Sequence, residues 1–263
     1  MSDPLIALAG ASGWLGRAIG PALLRQGIAA PERLVCVNRS GPAPAYGDWP
    51  GLSWQAGLPA GADVVILSVR PQDFRDGAWD CPGALVISLM AGVPAEEIAR
   101  RTGSARIVRA MPNAAVEIGR SYAPWTASAA VTAEDRAMAA RILGATGGQD
   151  EIESEAQLDV LTALAGSGPA WSALLANALS TAALQAGLPE RIAHRAAEAV
   201  VCDASQMLAG DIGQAGALVQ EFIDYAGTTA AAMQAARGAG FDDAVKEALD
   251  AATAKAREMS RAS

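Results

Sequence analysis

With 263 residues, 51% of them hydrophobic, the chain can bury one large core or two modest ones, and two is the better expectation at this length. A formal charge of −8 without a Lys/Arg cluster argues against nucleic acid as a partner, and no apolar run reaches the ~18 residues of a membrane span. One histidine, His194, and three scattered cysteines, Cys36, Cys81 and Cys202, exclude a histidine triad, a multi-histidine metal centre and a disulfide framework, so no metal is expected. The opening Met1-Ser2-Asp3-Pro4 carries no basic targeting segment, and a cytoplasmic location is expected.

Short β-branched runs alternate with helical stretches over the first ~150 residues, the pattern of an α/β fold with a parallel sheet covered on both faces. Strands are expected at 5–9, 34–38, 64–69, 85–89 and 106–109. The run Val64-Val65-Ile66-Leu67-Ser68-Val69 is nearly continuous in apolar residues, as a strand buried on both faces requires. Helices are expected at 14–26, 94–101 and 133–143, with Pro21 kinking or restarting the first. Past residue 149 the chain becomes rich in Ala, Leu, Glu and Gln and reads as helices, among them 170–186 and 190–209. The expected domains are therefore 1–150, a Rossmann-like doubly wound sheet, and 151–263, all helical. Alanine-rich helices bury little area each, so the second domain is expected to complete its core against a partner subunit.

Gly10-Ala11-Ser12-Gly13-Trp14-Leu15-Gly16 follows the first strand and opens the first helix. Its glycines allow a tight turn and close backbone approach, and the free N–H groups at the helix start attract a pyrophosphate. The second strand runs into Asn38, Arg39 and Ser40, with no acid to grip two ribose hydroxyls. An amide, a guanidinium and a hydroxyl suit a 2′-phosphate, so NADP(H) is preferred over NAD(H). Ser68-Val69-Arg70-Pro71-Gln72, Ser88-Leu89-Met90-Ala91-Gly92-Val93 and Arg109-Ala110-Met111-Pro112-Asn113 each end an expected strand. Carboxyl ends of strands are where ligands lie in open α/β sheets. Ala91 and Gly92 are small enough to let a nicotinamide approach, and Asn113 can both donate to and accept from its carboxamide.

Taken in order, SVRPQ, SLMAGV, RAMPN, Gly166-Ser167-Gly168-Pro169-Ala170, Gly187-Leu188-Pro189 and Gly227-Thr228-Thr229 resemble the pyrroline-5-carboxylate reductase family over nearly the whole chain. The resemblance implies an NADPH-dependent reduction of a cyclic imine to a proline-type amine. It also implies a helical domain that interlocks with a partner in a homodimer or a ring of dimers. It places the cofactor on Gly10, Gly13, Trp14, Leu15, Gly16, Asn38, Arg39, Ser40, Ser68, Val69, Pro71, Ala91, Gly92 and Asn113. It places the substrate on Gly227 and Thr228 and implies that Thr229 hydrogen-bonds the reacting nitrogen, while Tyr225, where the family has a proline, is expected to add a ring and hydroxyl to the substrate pocket. Hydride transfer to C=N suits the sparse inventory of acids and bases, since an iminium is already electrophilic.

One stretch departs from the family. Its Ser-Pro-Gly-Gly-Thr-Thr turn is here Asp224-Tyr225-Ala226-Gly227-Thr228-Thr229. Asp224 either points away and caps the following helix or serves a substrate without a carboxylate, stabilising an iminium or donating a proton. Three functions are open on these residues. The first is the family reaction, the second an NADP oxidoreductase for a non-carboxylate imine or a carbonyl, the third a non-catalytic nucleotide-binding regulator.

Overall fold

A computed structural model describes residues 3–261; Met1 and Ser2, part of the opening read above for a targeting segment, lie outside the described residues. The sheet is built from β1 (Ile6–Ala9), β2 (Leu34–Val37), β3 (Ser53–Gln55), β4 (Val64–Leu67), β5 (Leu85–Ser88), β6 (Ile107–Ala110), β7 (Ser121–Ala127) and β8 (Gly147–Glu151). Their order across it is β3-β2-β1-β4-β5-β6-β7-β8. Pairing is parallel except between β6 and β7, where the chain reverses.

The strands explain the double covering. Ile6 and Leu8 of β1 enter one apolar cluster while Ala7 and Ala9 enter another, because alternate side chains leave a strand on opposite faces. Helices α1 (Gly16–Arg25) and α4 (Ala133–Gly144) cover the first face through Ile19, Leu23, Ile142 and Leu143. On the second face, α2 (Pro71–Asp76) and α3 (Ala95–Thr102) bring Phe74 and Ile98. Thr132 and Asp135 form a reciprocal capping box at the start of α4, with hydrogen bonds of 3.1 and 3.0 Å.

Three strands escape the sequence pattern. Strand β7 contains Pro124, which cannot donate to a ladder. Strands β3 and β8 are short, polar edge strands, formed because a neighbour offers a hydrogen-bonding edge. Helix α1 runs continuously through the buried Pro21 and does not restart there.

The chain divides into two compact units. The first runs to Ser167 and takes up the chain again from Ala252, and the second is Gly168–Ala251. Helix α5 (Glu155–Leu161) belongs to the first. The second contains α6 (Gly168–Gln185), α7 (Glu190–Glu198), α8 (Ala215–Asp224), α9 (Thr228–Gly238) and the start of α10 (Phe241–Arg261). The single helix expected over 190–209 stops at Glu198. A wide π turn (Ala199–Asp203) and a 3-10 turn (Ala204–Leu208) follow it. Much of this unit's apolar surface is uncovered: Leu174, Leu175, Val200, Met207, Ile212 and Phe222 are all exposed. No described helix is long and apolar enough to cross a membrane.

Candidate functional site

Strands β2 and β4 flank β1 on opposite sides, so the sheet order reverses there, and a crevice opens beyond the carboxyl ends of β1 and β4. Gly10 and Ser68 are the first residues past those ends. The Gly10 N–H donates to Val37 O and the Ser68 N–H to Ala9 O, both at 2.9 Å, so the two turns leave the sheet side by side. Gly10 has φ +79°, and a Cβ there would overlap the Ser68 carbonyl, so both the backbone and the space demand glycine. A Cβ on Gly16 would likewise overlap the Gly10 carbonyl. The turn closes through Gly13 N–H to Gly10 O at 2.8 Å. Leu15, the residue before α1, makes no side-chain cap, and the N–H groups of Arg17 and Ala18 close onto Gly13 O and Leu15 O at 2.9 and 3.0 Å, so the glycine turn feeds directly into the positive end of the helix.

A cleft of about 610 Å³ lies over this turn. Of the expected cofactor residues, Gly10, Gly13, Trp14, Leu15, Asn38, Arg39, Ser68 and Val69 line it. Ser40 stands beside the wall, accepting a 2.5 Å hydrogen bond from the Asn38 amide and lying 3.4 Å from the Ser12 hydroxyl. Pro71 opens α2. Gly92, at φ +68°, packs against the end of α10, where a Cβ would sit 2.8 Å from Met259 Cβ. Ala91, Gly92 and Asn113 are not part of the cleft wall. The Asn113 side chain donates to Ala165 O at 2.9 Å and accepts from Ala115 N–H at 3.0 Å, so both ends of its amide are engaged by backbone.

Asp73, Tyr46, Gly20 and Glu117 in this region were not singled out in the sequence. Asp73 accepts from Arg70 at 2.7 Å and from Arg39 at 3.1 Å. The hydrogen bond from Arg70, aided by both positive charges, holds its carboxyl below the ordinary range. The Arg70/Asp73 pair was legible as an i,i+3 ion pair at a helix start; the reach from Arg39 was not. Tyr46 is buried behind the glycine turn, and its hydroxyl donates to Gly16 O (2.7 Å) with Ala11 O 3.2 Å away. A Cβ on Gly20 would overlap the Tyr46 ring. Burial pushes the neighbouring Cys36 thiol up to about 12, so it is an inert core thiol. Trp14 donates across to Glu117, joining the glycine turn to the segment after Asn113.

The expected substrate residues lie in the helical unit. Gly227 precedes α9 in extended conformation, and Thr228 and Thr229 form its first turn. Asp224 ends α8 and accepts a 2.8 Å hydrogen bond from Gln220. It does not cap α9, because the cap residue is Gly227 and no side-chain bond is made there. Tyr225 is 85% exposed. Ala226 adopts φ +58°. His194 is an exposed residue of α7. Among the described residues there is no group of three or more His, Cys, Asp or Glu able to hold a metal.

Sheet order, glycine turn and cleft together define the class, an α/β protein of the dinucleotide-binding type. Residues 155–259 match the model for pyrroline-5-carboxylate reductase dimerisation. The pyrroline-5-carboxylate reductase of Pseudomonas aeruginosa is 31% identical over 98% of each chain. That of Thermus thermophilus is 32% identical over 94% of this chain and 95% of the relative. The solved pyrroline-5-carboxylate reductase of Coxiella burnetii superposes with TM-score 0.87 at 29% identity, covering 98% of this chain and 99% of its own. The Plasmodium falciparum structure with NADP bound gives 0.82 at 21% identity, covering 99% of each chain. The chain belongs to the pyrroline-5-carboxylate reductase family.

Proposed function

We propose that this chain reduces pyrroline-5-carboxylate to proline with NADPH, working as a homodimer. The observation that carries this reading is the 31% identity to a pyrroline-5-carboxylate reductase over 98% of both chains. The dinucleotide, when bound, supplies the hydride that adds to the imine carbon. The remaining work falls to the protein. The glycine turn and the positive end of α1 receive the pyrophosphate, and Asn38, Arg39 and Ser40 receive the 2′-phosphate, which favours NADP(H) over NAD(H). Thr228 and Gly227 receive the substrate as its protonated iminium, and Thr229 hydrogen-bonds the ring N–H, which keeps its proton as the C=N bond becomes C–N. The match of the helical region to a dimerisation model and its exposed leucines support the dimer.

A second reading is favoured by one observation. Asp224 places a carboxylate beside the substrate turn, and a substrate carboxylate ~4 Å away would be repelled by roughly 1–4 kcal/mol. On that reading the substrate is an imine without a carboxylate. The deciding experiment follows NADPH oxidation with pyrroline-5-carboxylate and, in parallel, unsubstituted pyrroline. Turnover of the carboxylate supports the first reading, and turnover of pyrroline alone supports the second. Dinucleotide binding with neither turned over would sink both.

A further inference from the structure

Among the described residues, Asp73 is the carboxylate that pairs with the guanidinium assigned to the 2′-phosphate. It lies in the first turn of α2, where an acid suits the helix start, yet its side chain faces the cleft. One oxygen takes Arg39 Nη2 at 3.1 Å and the other takes Arg70 Nε at 2.7 Å. Both arginines are otherwise open to solvent, with side chains 84% and 82% exposed, whereas Asp73 is 28% exposed. The carboxylate therefore holds the donors that an incoming phosphate needs, and it leaves the cluster with one net positive charge instead of two.

We propose that Asp73 is a specificity-determining residue that tempers the preference for a 2′-phosphorylated dinucleotide by competing with that phosphate for Arg39 and Arg70. The proposal rests on the assignment of Arg39 to the 2′-phosphate. A dinucleotide lacking that phosphate has nothing at this position for Asp73 to repel, so its affinity stays nearly constant when the charge is removed. A phosphate dianion gains from the removal twice, by losing a repulsive neighbour and by finding the guanidinium donors released. At a separation of several ångströms in a solvated site this amounts to a factor of roughly three to ten.

The test is titration of the full chain with NADP+ and NAD+, read by quenching of tryptophan fluorescence, since Trp14 and Trp79 line the cleft. Asp73→Asn should tighten NADP+ by roughly three- to tenfold and leave NAD+ within about twofold. Asp73→Ser should move the ratio the same way, and Asp73→Glu should keep it near the native value. An unchanged ratio in both neutral variants overturns the proposal, as does a fall, which would make Asp73 an aid in presenting Arg39. Equal native affinities for the two dinucleotides would overturn the NADP preference itself. The ratio in Asp73→Asn still decides the role of Asp73 in that case, rising if it competes and staying flat if it does not.

Discussion

The Tyr46 hydroxyl donates a 2.7 Å hydrogen bond to the carbonyl of Gly16, thirty positions away in sequence, at the point where the glycine turn becomes a helix. The ring is 3% exposed and stands edge-on to Trp54, at 86° between planes. Its hydroxyl thus braces the backbone where the glycine turn enters α1. Tyr46→Phe removes the hydroxyl's bond to a carbonyl that α1 otherwise engages only through its own backbone, a loss of about 0.5–1.5 kcal/mol. The variant should melt lower and bind NADPH several-fold more weakly, with the KM for the imine unchanged. A lower melting temperature with native dinucleotide affinity would refute the link to the turn.

Glu97 is 5% exposed and accepts hydrogen bonds from Arg75 at 3.1 and 3.2 Å and from Arg101 at 3.2 Å. Burial pushes its carboxyl up, but the bonds and charges of the two arginines outweigh it, leaving the group below its ordinary value of 4.5. A carboxyl depressed on folding stabilises the protein above its unfolded pKa, and the contribution is lost as pH falls through the folded value. Glu97→Gln should therefore destabilise at neutral pH by about 3 kcal/mol. The difference from the native protein should shrink once the pH drops below 4.5. Melting curves at about pH 7 and about pH 3 check this; a gap of constant size would count against it.

Ala226 holds φ +58°, the only non-glycine residue with positive φ among those described. The left-handed region costs a side-chain-bearing residue roughly 1–2 kcal/mol, of which glycine's greater freedom in the unfolded chain gives back about half. Ala226→Gly should raise stability by about 0.5–1 kcal/mol, read as a melting temperature a few degrees higher. A lower melting temperature would mean that the Ala226 methyl makes contacts worth more than the strain.

Leu174, 63% exposed on α6, belongs to the uncovered apolar surface of the helical unit. If that surface is the subunit interface, Leu174→Asp buries a charge against it and should weaken dimerisation by at least about tenfold. Sedimentation of native and variant chains at matched concentration reads the effect. A native chain that sediments as a monomer, or a variant that assembles as well as the native one, would contradict the assignment.

How much of this was legible beforehand follows from the range of the forces involved. Short β-branched runs identified β1, β2, β4, β5 and β6, and the one at β4 is nearly continuous in apolar residues, as burial on both faces favours. The glycine spacing located the dinucleotide turn, because positive φ and close packing leave little choice of residue. Strands β3, β7 and β8 were invisible, since an edge or a proline-containing strand is stabilised by its neighbour's backbone and not by its own composition. The reach of Arg39 to Asp73, the support of Gly16 by Tyr46 and the engagement of Asn113 by Ala165 join points dozens of positions apart. Local sequence therefore determined which segments could fold and which turn could hold a phosphate. The tertiary structure alone decided which side chains meet there, because a hydrogen bond depends on positions that only the closed sheet brings together.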